Sequence, residues 1–129
     1  FGTRNDPVMG WPYRTTNEPD FDVIMRMRDI DFGTYHLYPH EALPGDRSIT
    51  PEEWGRRYIR DMQAVGRATD KPTLMEEFGA TNPTLHAGVF ETFLDALWAE
   101  GGTAFTFYEI GATHSWGATV WPDDTYSIT

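Results

Sequence analysis

With 129 residues, 40% of them hydrophobic and 15% aromatic, the chain is long enough for one domain with a substantial core. Acidic residues outnumber basic ones 20 to 10, and the net charge of −10 repels a phosphate backbone, which argues against nucleic acid as a partner and leaves a neutral polymer such as a polysaccharide unaffected. There is no cysteine, hence no disulfide framework and no thiolate zinc site, and no apolar run approaches the ~18–20 residues that would span a membrane.

Residues 1–20 are rich in Gly, Pro, Asn, Asp and Thr and read as a long loop. A short helix of mixed faces is expected over 21–29. DFGTYHLYP then has strand propensity, and Pro39 closes a strand placed at about 32–38. Pro44-Gly45 marks a turn in the loop that follows. Thr50-Pro51-Glu52-Glu53 is a capping box with proline at the first helical position. Trp54, Tyr58, Met62 and Val65 recur behind it at helical spacing, and this amphipathic helix is expected to end near Ala68, before the break Thr69-Asp70-Lys71-Pro72. Residues 73–78 form a second strand. A second long helix starts at Asn82-Pro83, carries Leu85, Val89, Phe93, Ala96 and Leu97, and ends at Gly101-Gly102 as a left-handed cap would. TAFTFYEI is a third strand at about 103–109, and the tail beyond it is turn-rich with scattered aromatics.

Strands separated by helices imply parallel βαβ units. No glycine-rich phosphate loop follows any strand, so neither nucleotide-binding fingerprint is present. Three parallel strands leave both outer edges open, which is the expectation for a piece of a larger α/β sheet or barrel.

In parallel α/β folds function collects at the carboxyl ends of strands. Those ends carry His36 and Tyr38, two apart and so on one face; Glu76-Glu77 before Phe78; and Phe107-Tyr108-Glu109. An imidazole, a phenol, a carboxylate pair and aromatic walls suit carbohydrate chemistry. A carboxylate can attack a glycosidic carbon, and a tyrosine hydroxyl can orient it by hydrogen bonding. By strand alternation Glu76 points away from Glu77 and is expected to be structural. Composition alone allows the pair to be a solvated strand end equally well.

DFGTYHLYP followed one helix later by KPTLMEEFG resembles the sixth and seventh strands of glycoside hydrolase family 5, in its endo-β-1,4-mannanase branch. The similarity extends through FDVIMRMRDI, the Trp54 helix and the tail WPDDTYSI, covering most of residues 20–128. It implies an α/β fold that is the C-terminal part, about strands 6 to 8, of a (β/α)8 TIM barrel. Residues 1–129 would then be one partial catalytic domain, with 1–20 as the loop after strand 5 and 21–129 as strands 6 to 8 with their helices.

The implied activity is endo-hydrolysis of β-1,4-mannan or a related β-linked polysaccharide with retention of configuration. Glu77, before the aromatic-glycine pair, is the implied nucleophile, Tyr38 orients it, and His36 shapes the site. No metal or organic cofactor is implied. The implied partners are the polysaccharide and the N-terminal half of the barrel, which would carry the acid/base glutamate, and the implied location is extracellular.

Asn17-Glu18-Pro19 matches the family's acid/base triplet, but that triplet ends strand four, and one helix and one strand fill the stretch from Glu18 to His36. The three residues therefore read as a helix start with Asn17 as its cap. The strand TAFTFYEI also lacks the family's tryptophan platform. Phe107, Tyr108 or, from the following loop, Trp116 stand in as sugar contacts, with Trp11 and Trp121 in loops on the cleft side, and each of these aromatics reads equally as packing. His40 and His114 read as solvated loop residues, His86 as structural, and Trp54 as the inner face of its helix. Asp46, Asp123 and Asp124 lack a calcium-loop pattern. A β-glucanase or cellulase would share the catalytic residues, and a non-catalytic carbohydrate-binding remnant of the fold would share the cleft.

Overall fold

The computed structural model describes residues 8–13, 20–39, 48–108, 112–113 and 119–120. Helix α1 (Phe21–Met25) is capped by Asp20, whose side chain accepts from the Asp22 amide at 3.1 Å. It stops short of the expected 29. The Lys71 ammonium donates to the carbonyls of Met25 and Met27 at 2.7 and 2.6 Å, so the end of the helix is satisfied by a distant lysine instead of another helical turn.

Strand β1 (Gly33–Leu37) buries Gly33, Tyr35 and Leu37 and turns Thr34 and His36 to the other face. Helix α2 (Pro51–Thr69) starts as the sequence indicates, with Thr50 Oγ1 accepting from the Glu53 amide at 3.2 Å. It ends at Asp70, whose φ of 54° is left-handed, a conformation aspartate tolerates. Strand β2 (Thr73–Phe78) lies parallel to β1, with α2 as the crossover between them.

Asn82-Pro83 opens a single-turn 3-10 helix, Pro83–Leu85, stabilised by the Thr84 amide and hydroxyl donating to Asn82 Oδ1 at 3.0 and 2.8 Å. Helix α3 (His86–Ala99) follows. Its end is a Schellman motif: the Gly102 amide reaches the Leu97 carbonyl at 2.8 Å, the Gly101 amide reaches Trp98 at 3.0 Å, and Gly101 has φ +80°.

The third strand, expected at 103–109, is reduced to an isolated parallel bridge between Phe105 and Met75. Its segment still donates the amides of Thr106 and Tyr108 to the carbonyls of Met75 and Phe78, at 2.9 and 3.3 Å. A change of register within β2, described below, breaks the regular ladder. The tail is not only turns: β3 (Ala112–Thr113) pairs antiparallel with β4 (Thr119–Val120). Among the described residues no helix is long and apolar enough to cross a membrane.

The core lies between α2, α3 and the buried face of the sheet. Trp54, Tyr58, Ile59, Met62 and Val65 of α2 meet Tyr35, Leu37, Met75 and Phe78 of the strands and Val89, Phe93 and Leu97 of α3. The expected long loop over 1–20 contributes to this core as well. Met9 and Tyr13 are fully buried, and Trp11–Tyr13 form a 3-10 turn. The Trp54 indole donates to the Met9 carbonyl at 2.9 Å and stacks on Tyr58 with ring centroids 4.9 Å apart. Tyr13 and Tyr35 meet Tyr58 edge-on, both at 5.9 Å. The Tyr13 hydroxyl donates to the buried Asp61 carboxylate at 2.8 Å. Burial satisfied by such long-range bonds is what makes core of a stretch rich in turn residues.

A Cβ placed on Gly55 would lie 2.2 Å from the Phe93 ring. Gly55→Ala is therefore expected to destabilise the protein by about 1–3 kcal/mol through overpacking, although alanine is the better helix former; denaturant unfolding at constant m-value checks this.

Burial pushes the Tyr35 hydroxyl from its ordinary 10.0 up to about 12, partly opposed by the Gln63 amide donating to its oxygen at 3.2 Å. Burial, reinforced by the Asp61 carboxylate, raises Tyr13 as well. The folded chain holds the Tyr35 proton above the pH at which the unfolded chain releases it. This contribution to stability is therefore complete below pH 10 and lost as pH rises to about 12. Unfolding free energy measured across that window should fall more steeply in the wild type than in Tyr35→Phe.

Candidate active site

The carboxyl ends of β1 and β2 bring together His36, Tyr38, Glu76 and Glu77. Their placement depends on a register shift between the strands: Tyr35 pairs with Met75, but His36 pairs with Glu77. Strand β2 therefore holds one extra residue, Glu76, at this point. The other side of β2 agrees. Thr106 bonds to the Met75 carbonyl, and two residues later Tyr108 bonds to Phe78, three residues along β2. The extra residue is a β-bulge seen from both neighbours.

The bulge changes which side chains face the rim. Thr73 and Met75 are buried, and strict alternation would bury Glu77 next; instead the next buried residue is Phe78. Both glutamates remain at the rim. The Tyr38 hydroxyl donates to Glu77 Oε2 at 2.8 Å. His36 Nδ1 stands 3.3 Å from that same oxygen, and His36 Nε2 stands 3.5 Å from Glu76 Oε2. Neither contact to Glu77 uses Oε1. The expectation that Glu76 points away is thus corrected, because the bulge swings its carboxylate to the far nitrogen of the same imidazole. The His36 and Tyr38 rings meet at 89° with centroids 6.4 Å apart. The side chains of His36, Glu76 and Glu77 are 51%, 46% and 35% exposed, so the cluster opens to solvent.

The remaining sequence candidates distribute around this cluster. Phe107 packs edge-on against Phe78 at 6.4 Å and at a tilt against Phe90 of α3 at 6.3 Å, while staying 38% exposed. Tyr108 is 40% exposed and is tied through its amide to the end of β2. Trp116, Trp121, Glu18, His40, His114, Asp46, Asp123, Asp124 and Glu109 lie outside the described residues, as does the side chain of Trp11. His86 is buried with Nε2 2.7 Å from the Ala80 carbonyl, in keeping with a structural role, and Trp54 faces inward from its helix. Among the described residues no group of three His, Cys, Asp or Glu side chains could hold a metal ion. A cavity of about 360 Å³ lies at the opposite, amino end of β2, lined by Gln63, Arg67, Lys71, Thr73 and Glu100, away from the rim.

Sequence reasoning missed two participants, Glu76 and Thr106, whose hydroxyl donates to the Glu76 carbonyl. One signal was available for the first. In TLMEEF, apolar Met75 and Phe78 are three apart, which a strand of period two cannot bury on one face without a bulge.

No family model matches the chain. A mannan endo-1,4-beta-mannosidase A of Emericella nidulans is 35% identical over 115 residues, covering 88% of this chain and 27% of that protein. A mannan endo-1,4-beta-mannosidase F of Aspergillus clavatus is 33% identical over 128 residues, covering 98% of this chain and 27% of that protein. The crystal structure of an endo-1,4-beta-mannanase from Rhizomucor miehei superposes with a TM-score of 0.78 at 28% identity, over 99% of this chain and 32% of that one. The chain thus spans about a quarter to a third of the proteins it matches. The resemblance of HLYP and EEFG to the endo-β-1,4-mannanase branch of glycoside hydrolase family 5 holds along nearly the whole chain, and the fold is the corresponding part of a (β/α)8 barrel.

Proposed function

We propose that this chain supplies the nucleophile half of the active site of a retaining endo-β-1,4-mannanase. Its strands β1 and β2 and the segment 103–108 would serve as strands 6 to 8 of the barrel, with residues 1–20 as the loop after strand 5. The observation that carries the reading is Glu77 Oε2 held by the Tyr38 hydroxyl at 2.8 Å, with His36 Nδ1 at 3.3 Å, at the carboxyl ends of adjoining parallel strands. The names of the relatives supply the substrate class.

In the reaction Glu77 attacks the anomeric carbon through Oε1, the oxygen outside both contacts, and forms a glycosyl-enzyme that water then hydrolyses. Tyr38 fixes the carboxylate by donating to its Oε2. His36 orders the rim beside it. Retention needs a second carboxyl about 5–5.5 Å from the nucleophile to protonate the leaving oxygen and then activate water. That glutamate comes from the part of the barrel outside this chain. Phe107, Tyr108, Trp116 and Trp121 are assigned as sugar contacts along the cleft. Double displacement between two carboxyls needs neither metal nor organic cofactor. An extracellular location belongs to the same reading and rests on the family resemblance.

Glu77→Gln tests the assignment in the protein that carries this chain. Reducing-sugar release from linear β-1,4-mannan should fall by about 10³-fold or more, as loss of a covalent nucleophile does elsewhere, while mannan binding survives. Equal activity in wild type and mutant would remove Glu77 from the reaction. Binding without hydrolysis in the wild type would point to a carbohydrate-binding remnant.

Tyr38→Phe should lower kcat about 10- to 100-fold, the worth of one hydrogen bond to a charged group, with KM nearly unchanged. Steady-state kinetics on a soluble mannan oligosaccharide separates the two constants.

A further inference from the structure

A bulge leaves the backbone groups of its extra residue outside the regular ladder, and a carbonyl left without a partner is costly. In β2 the residue concerned is Glu76. Its carbonyl accepts a hydrogen bond from the Thr106 hydroxyl. The Thr106 amide donates to the preceding carbonyl, that of Met75, at 2.9 Å. One residue on the neighbouring segment thus holds both carbonyls at the step where β2 departs from regular pairing. The carboxylates of Glu76 and Glu77 beyond that step stand 3.5 and 3.3 Å from the two nitrogens of His36.

We propose that Thr106 is a positioning residue for this site: its hydroxyl holds the β2 bulge, the bulge sets Glu76 and Glu77 on the two nitrogens of His36, and Glu76 keeps the imidazole turned toward Glu77. The chain of contacts runs from Thr106 Oγ1 to the Glu76 backbone, from the Glu76 carboxylate to His36, and from His36 to the same Glu77 oxygen that Tyr38 holds. Thr106 touches none of the reacting atoms. Its side chain is exposed and outside the core, so a purely packing role has little to act on. The kinetic part of the test rests on the mannanase reading above, whereas the structural part does not.

Thr106→Val keeps the shape and removes the hydroxyl, and Thr106→Ser restores a hydroxyl on a smaller side chain. In the protein that carries this chain, valine should lower kcat about tenfold with KM within about twofold of wild type, in line with loss of one hydrogen bond at a site that must stay ordered. Serine should recover most of the loss. The ring carbon-proton resonances of His36 should move in Thr106→Val and in Glu76→Gln, and return in Thr106→Ser. Thr106→Ala provides the same comparison if valine folds poorly. Wild-type kcat and unmoved His36 resonances in the valine variant would overturn the proposal, as would a serine variant impaired as much as valine. Glu77→Gln measured alongside separates the two readings. If it stays fully active, the assignment of Glu77 as nucleophile falls, and the His36 resonances alone then decide the role of Thr106.

Discussion

The approach of α2 to α3 at Gly55 is the constraint on which the rest of the packing depends. With no side chain there, the Phe93 ring occupies the space a methyl group would need, and α3 lies close against its neighbour. From that position Phe90 reaches Phe78 edge-on at 5.0 Å, and Phe78 in turn meets Phe105 at 6.0 Å. The residue that closes β2 on its buried side is thus held between Phe90 of α3 and Phe105 of the neighbouring segment. The residue before it in sequence is Glu77. The carboxylate at the rim is anchored from behind by packing and from the front by Tyr38.

On its other flank α2 packs Tyr58 and Trp54 against Tyr35 of β1 and against the segment 8–13. The polar atoms carried inward there find partners: the indole meets a backbone carbonyl, Tyr13 meets Asp61, and Tyr35 meets Gln63. Buried networks of this kind favour one arrangement of the elements over near alternatives, because each broken bond leaves a desolvated polar group. The sheet face opposite these helices behaves differently. Thr34, His36 and Glu76 are exposed on it, as the inner residues of a barrel are when only part of that barrel is present.

How much of this was legible depended on how local each cause is. Thr50 and Pro51 act within one turn, and so do Gly101 and Gly102, so both signals mark helix ends that the structure retains. The convergence of His36, Tyr38 and Glu77 was legible because adjoining parallel strands set their carboxyl ends side by side. The end of α1 was not, since Lys71, 44 residues from Met27, satisfies its carbonyls. Met9 and Tyr13 were hidden among turn residues, and only their partners on α2 make them core. The bulge depends on the pairing of three segments at once, so Glu76 was assigned to the wrong direction and the third strand was expected to be more regular than it is.

The bulge also separates two kinds of change that a strand normally couples. In a regular strand, adding one residue exchanges every later side chain between core and rim, so chemistry at the end cannot vary without rebuilding the interior. In β2 the extra residue is absorbed in place, and Phe78 stays in the core while two acids occupy the rim where a regular strand would set one. At the end of this strand the number of rim side chains is thus uncoupled from the alternation that places Phe78 in the core.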